Sequence, residues 1–196
     1  MKRSIICSAL LPFLFAGMAH AAETNVITED GQLIIKATVE GSSCHFRSNG
    51  GDSAIIDMGT ISTSDVYKIG IGAVSNTKVW STDVDKIEVI CPSNVALKNI
   101  TFSPTNISTN HPGLLQDDEG DTTGVGFSVD FYNTGTNSVK IDNNNKVVDV
   151  SGLEGEIFGT DGVMYTLKFD ARWARLAQVV KAGDVKSTIK FTVETD

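Results

Sequence analysis

The last fourteen residues, Gly183 to Asp196, constrain this chain more than any other stretch. Val185, Ser187, Ile189, Phe191, Val193 and Thr195 recur at every second position, with Asp184, Lys186, Thr188, Lys190, Thr192, Glu194 and Asp196 between them. Side chains of an extended backbone point alternately to opposite faces, so this is a strand with one buried face. A chain that finishes on such a strand must set it inside a sheet, because its bare N–H and C=O groups would otherwise recruit any strand that came near. Its neighbours have to be sought upstream.

Other alternating runs supply them. After Gly31, the residues Leu33, Ile35, Ala37 and Val39 alternate with Gln32, Ile34, Lys36, Thr38 and Glu40, and only Ile34 breaks the polar side. Ile55, Ile56 and Met58 lead into Gly59; Ile87, Val89 and Cys91 alternate with Lys86 and Glu88; Val95 and Leu97 open another run. Val125, Phe127, Val129 and Phe131 alternate with Gly126, Ser128, Asp130 and Tyr132, as do Tyr165, Leu167, Phe169, Ala171 and Trp173 with Thr166, Lys168, Asp170 and Arg172. Six or seven strands separated by turn chemistry such as Asn49-Gly50-Gly51 and Asn143-Asn144-Asn145 predict an antiparallel β-sandwich. The only helix candidate is a turn or two around Ala174 to Val180, where a loop is the preferred reading. With no internal repeat, long linker or second composition regime, one domain is expected.

The opposite end sets the destination. Lys2 and Arg3, the apolar run Ile5 to Ala16 and the small-x-small site Ala19-His20-Ala21 have the form of a secretory signal peptide over residues 1–22. The apolar run is too short for a permanent anchor, which takes about 20 apolar residues. The expectation is an exported chain of 174 residues. Residues 23–30 carry little apolar content and read as a flexible N-terminal extension. Once Cys7 leaves with the leader, Cys44 and Cys91 remain, and an oxidising compartment makes a disulfide the expected state. A metal pair would need further ligands, and only His45 and His111 remain. Without Lys2 and Arg3 the chain holds 14 basic residues against 24 acidic ones, a net charge of −10 that works against nucleic acid and anionic membrane surfaces.

The polar motifs are weak. Asp117-Asp118-Glu119-Gly120-Asp121 offers oxygens for a hard cation but lacks the terminal Glu of an EF-hand loop, so a solvated loop is favoured. His45 and His111 have no Ser or Cys partner in a recognisable motif, and there is no paired-carboxylate motif, so neither an enzyme nor a cofactor is expected. Asn99-Ile100-Thr101 and Asn106-Ile107-Ser108 match a glycosylation pattern that arises often by chance. Trp80 and Trp173 could floor a sugar site, although Trp173 falls on the apolar face of its strand and reads as core.

The unexplained pair of strands at the two ends brings in a resemblance. Gly31, Leu33 and Ile35 after a polar extension, Val39 and Cys44, the segment Asp57-Met58-Gly59-Thr60-Ile61-Ser62-Thr63-Ser64, Cys91 after a strand, Phe169-Asp170-Ala171-Arg172-Trp173, and Gly183 opening the final strand all occur in one order. In that order, with a leader, they resemble the chaperone-usher fimbrial subunits, the type 1 pilin-like family, over essentially the whole mature chain. The family's next-to-last residue is usually aromatic, most often Tyr, and here it is Thr195. The resemblance implies an all-β fold, an incomplete immunoglobulin-like antiparallel sandwich with an N-terminal donor-strand extension over residues 23–38 and a pilin domain over 39–196. Its missing seventh strand would leave an apolar groove beside Gly183, Val185, Ile189, Phe191 and Val193. Four or five pockets facing water, each worth roughly 1.5 to 3 kcal/mol, would rival the stability of a small domain. The implied partners are a periplasmic pilus chaperone that lends a strand, an outer-membrane usher, and other fimbrial subunits. Ile27, Glu29, Gly31, Leu33, Ile35 and Ala37 would be the residues donated to the neighbour. The rival readings are a carbohydrate-binding adhesin-type sandwich and a secreted hydrolase.

Overall fold

The computed structural model describes residues 28–40, 44–47, 53–81, 86–134, 137–143, 146–160 and 162–196. The leader assigned to residues 1–22, and Ile27, lie outside the described residues. The elements in chain order are β1 (Thr28–Glu40), β2 (His45–Phe46), β3 (Ser53–Ser62), α1 (Thr63–Lys68), β4 (Val79–Trp80), β5 (Ile87–Pro92), β6 (Leu97–Pro104), β7 (Leu115–Gln116), β8 (Val125–Tyr132), β9 (Ser138–Lys140), β10 (Lys146–Asp149), β11 (Glu156–Phe158), β12 (Gly162–Arg175) and β13 (Asp184–Thr195). Every strand read from alternation is present, and the additional ones, such as β2, β4 and β7, are two to four residues long, too short to show a period.

The strands form two packed layers. One sheet runs β10-β6-β13-β1-β3, and the other runs β2-β5-β12-β8-β7, with β4 and β11 on β12 and β9 on β8. Among the described pairings all are antiparallel except one: β1 runs parallel to β13. The apolar faces meet between the layers, which is where burial stabilises a sandwich. Leu33, Ile35, Ile56, Phe102, Val185, Ile189, Phe191 and Val193 from the first sheet and Ile87, Val89, Phe127, Val129, Phe131, Leu167, Phe169 and Ala171 from the second are buried. At the centre, Phe102 stands 5.2 Å from Phe131, 6.2 Å from Phe169 and 5.6 Å from Phe191 between ring centroids, tilted or edge-on as aromatic quadrupoles prefer.

The sequence favours a loop around Ala174 to Val180, and β12 ends there in one. Residues 176–183 form a loop, and the one helix among the described residues is α1, directly after β3. Ser62 caps it: its Oγ accepts a hydrogen bond from the Asp65 N–H at 3.1 Å, supplying one of the donors that a helix start leaves unpaired. Val66 anchors the turn in the core.

The two tryptophans part company. Trp173 is buried, 5.1 Å from the Phe127 ring, and donates its indole N–H to the Met58 carbonyl at 3.3 Å. Trp80 is half exposed and tilts against Tyr132, centroids 5.1 Å apart, with the Lys78 ammonium 5.5 Å from its ring.

Candidate functional site

The site grows out of the one parallel pairing. Among the described residues β3 and β13 make no pairing with each other, and β1 alone lies between them. Residues from β2 onward therefore build a first sheet with a gap, and the segment read as an N-terminal extension fills it. β1 pairs with β13 from Asp30 opposite Asp184 to Glu40 opposite Glu194, and with β3 from Thr28 opposite Ser62 to Lys36 opposite Ser53, with an irregularity between Gly31 and Gln32. Its alternation matches the slot. Gly31, Leu33 and Ile35 are buried, Gln32 and Lys36 are exposed, and Ile34, the residue that broke the polar side, is half-buried.

The register fixes which partner each residue of β1 lies opposite. Leu33 lies opposite Ile56 of β3, Ile35 opposite Ile189 of β13, and Ala37 opposite Phe191. Gly31 lies opposite Val185 and Gly59, where a Cβ would stand 2.2 Å from Cη2 of Trp173 and 3.0 Å from Cβ of Met58. The indole fills the space that a side chain would need, so the slot is shallow at this one row. Glu29 lies in β1 opposite Ile61. Of the expected groove-lining residues, Val185, Ile189, Phe191 and Val193 are buried along β13, while Gly183 immediately precedes the strand and is half-buried. The expectation of a groove left for another molecule's strand thus meets a structure in which the chain's own residues 28–40 occupy it.

The far edge of β13 is closed independently of β1. β6 pairs from Ile189 opposite Pro104 to Thr195 opposite Leu97. Before that point the loop after β7 takes over: the Thr188 N–H donates to the Asp118 carboxylate at 3.0 Å, Ser187 Oγ donates to the Gln116 carbonyl at 2.6 Å, and the Asp118 N–H donates to the Lys186 carbonyl at 2.7 Å. In the acidic tract weighed as a cation loop, the three aspartates accept hydrogen bonds from backbone N–H groups. Besides Asp118, Asp117 accepts from the Glu119 N–H at 3.0 Å and Asp121 from the Gly124 N–H at 3.0 Å.

The C-terminal end of the slot is pinned to the second sheet. Cys44 and Cys91 are joined by a disulfide, which fixes the chain just after β1 to β5. Beside it Glu88 is buried between Arg47 at 2.8 Å and Lys86 at 3.0 Å. Burial pushes its carboxyl upward, but the hydrogen bonds and charges of Lys86 and Arg47 outweigh that and hold it below the ordinary Glu value. On the outer face of β12, Asp170 is fully buried, with Lys78 at 2.8 Å and the Tyr132 hydroxyl donating at 2.6 Å. Arg172 pairs with Asp130 at 2.8 Å. Asp170 also holds the Lys78 ammonium above its usual range, with Tyr132 adding to the effect. His111 sits 3.0 Å by Nε2 from the Leu176 carbonyl, a contact that tethers the loop after β12, while His45 is exposed on β2. The geometry is that of a sheet whose gap between β3 and β13 is closed by β1.

The family described as "Fimbrial protein" matches residues 33–196. No curated protein matches. Among solved structures the chain is similar to the P pilus rod subunit PapA, with 19% identity and a TM-score of 0.48, covering 79% of this chain and 100% of that one. It is also similar to the CupB6 tip adhesin from Pseudomonas aeruginosa, with 15% identity and a TM-score of 0.39, covering 64% of this chain and 35% of that one. The family match spans both the strand that fills the gap, from Leu33 onward, and the strand that borders it, and on that match the chain belongs to the fimbrial protein family and is a structural subunit of a pilus.

Proposed function

We propose that this subunit is assembled by the chaperone-usher route through strand complementation and exchange, with residues 23–38 as the donated extension and 39–196 as the receiving domain. The observation that carries the reading is the gap between β3 and β13, which the N-terminal strand β1 fills. β1 is joined to the receiving domain through a single short connection to Cys44, so it can leave without unthreading any other element. A periplasmic chaperone lends a strand along β13 while the subunit is in transit. At the outer-membrane usher, the extension of the next subunit replaces it, with Ile27, Glu29, Gly31, Leu33, Ile35 and Ala37 as the inserted residues. Gly183, Val185, Ile189, Phe191 and Val193 form the receiving edge. Addition of a strand to an open sheet edge gains main-chain hydrogen bonds for affinity and side-chain pockets for register, and pilin complementation is a known case of it. Because donor and acceptor surfaces differ, the contact repeats into an open filament instead of a closed ring.

The test is deletion of residues 23–36 from the mature chain. Such a subunit should still be captured by the chaperone and should fail to complete its neighbour. Polymerisation at the full-length rate would overturn the proposal.

A further inference from the structure

We propose that the outer face of the second sheet carries a binding site for a neutral oligosaccharide, built around Tyr132 and Lys168. The site stands apart from the strand-exchange reading above, because β1 lies in the other sheet.

Alternation places it. In β12, Tyr165, Leu167 and Phe169 are buried in the core, so Met164, Thr166 and Lys168 turn the opposite way. These three line an open cavity of about 450 Å3, a size typical of small-ligand clefts. The strands flanking β12 supply its sides. Tyr132 of β8, opposite Lys168, lines one of them, and Lys86, just ahead of β5, lines the other. Glu154 and Glu156, where the chain enters β11, complete the lining.

The aromatic side is held in place before any ligand arrives. The Tyr132 hydroxyl donates to Asp170 at 2.6 Å and accepts from the Lys78 ammonium at 3.0 Å, and Asp170 is fully buried. A ring oriented in advance spares binding the cost of ordering it. Trp80, opposite Asp170, tilts against Tyr132 with centroids 5.1 Å apart and stays half exposed. Its indole extends the aromatic surface past Tyr132, and its apolar body suits the C–H face of a sugar ring.

Charge selects the ligand. Two ammonium groups, Lys86 and Lys168, are matched by two carboxylates, Glu154 and Glu156. An anionic ligand would meet the glutamates and a cationic one the lysines, and like charges brought together are rejected. A molecule rich in hydroxyls meets neither penalty. Each hydroxyl can donate to a carboxylate and accept from an ammonium or from the side chains of Thr134 and Thr166. Filling the strand slot leaves this face of β12 untouched, so a filament repeats the site along its length and weak single contacts gain by avidity.

The test uses the mature, disulfide-bonded chain with neutral di- and trisaccharides of glucose, galactose, mannose and N-acetylglucosamine, and with sialylated and sulfated glycans alongside. In proton–nitrogen correlation NMR, at least one neutral glycan should shift the amides of Thr134, Thr166 and Lys168 and the Trp80 indole N–H, and the shifts should saturate. Trp80→Ala and Lys168→Ala should each weaken that glycan about tenfold, the scale of one aromatic or charged contact, with the far-ultraviolet spectrum unchanged. Lys168 is exposed, so its variant reports on the site even where loss of Trp80 disturbs β4. No shift with any neutral glycan, shifts confined to residues outside the cavity, binding of the anionic glycans alone, or unchanged affinity in the folded variants would overturn the proposal.

Discussion

Gly31 of β1 lies against the indole of Trp173 of β12, so close that a Cβ would stand 2.2 Å from Cη2 and 2.6 Å from Cζ2. Trp173 is itself fixed, because its N–H is donated to the Met58 carbonyl on the strand flanking β1. Neither partner has room to yield. Gly31→Ala should lower unfolding stability by about 1–3 kcal/mol, the usual cost of overpacking. A double-mutant cycle with Trp173→Phe, followed by urea denaturation, should show a smaller cost of Gly31→Ala once the larger ring is gone; an unchanged cost would remove the indole from the account.

Asp170 and Lys78 provide a second test. The carboxylate is fully buried, and Lys78 and Tyr132 donate to it. Replacing Lys78 by Met leaves a buried charge with one donor fewer, and a loss of about 1–3 kcal/mol is expected in chemical denaturation. Asp170→Asn on the Lys78→Met background should recover part of the loss.

Glu88 predicts an acid-side dependence. Its folded carboxyl is held below the ordinary value by Lys86 and Arg47, so its stabilisation is complete above the unfolded value, about 4.3, and drains away as the pH falls through the depressed folded one. Stability measured at pH 6 and pH 3 should fall more for the wild type than for Glu88→Gln. Equal losses would show that the ion pairs contribute nothing on this limb.

The Cys44–Cys91 disulfide spans 47 positions. In the chain-entropy treatment a loop of that size restricts the unfolded chain enough to contribute about 4 kcal/mol. The doubly substituted Cys44→Ser, Cys91→Ser chain should show a correspondingly lower urea midpoint, and little secreted material should accumulate.

Much of this architecture is legible in the sequence because alternation reports the buried face directly. The strands β1, β3, β5, β6, β8, β12 and β13 all coincide with runs of that kind. Three things escape it. Alternation has no direction and no ownership, so it could not say that β1 runs parallel to β13 or that it lies in its own chain. Positions on the polar side can be buried when a partner arrives from far away, as Lys78 reaches Asp170 across 92 positions. The short helix was missed because Ser62-Thr63-Ser64-Asp65 reads as strand end and turn until the Ser62 cap is seen. The readable part of the site was the apolar face of Gly31, Leu33 and Ile35; the unreadable part was Trp173, whose contact with Gly31 crosses from one sheet to the other.

The closed far edge of β13 has a consequence for the shape of what the subunit can build. With β6 and the Asp118 loop occupying that side, and Met58 of β3 tied to Trp173, withdrawal of β1 uncovers a berth one strand wide and bounded on both sides. Under the strand exchange proposed above, each molecule has a valence of two, one strand to give and one vacancy to fill. Growth through this contact cannot branch, and the vacancy, once filled, cannot recruit a second strand as the rim of an open sheet would.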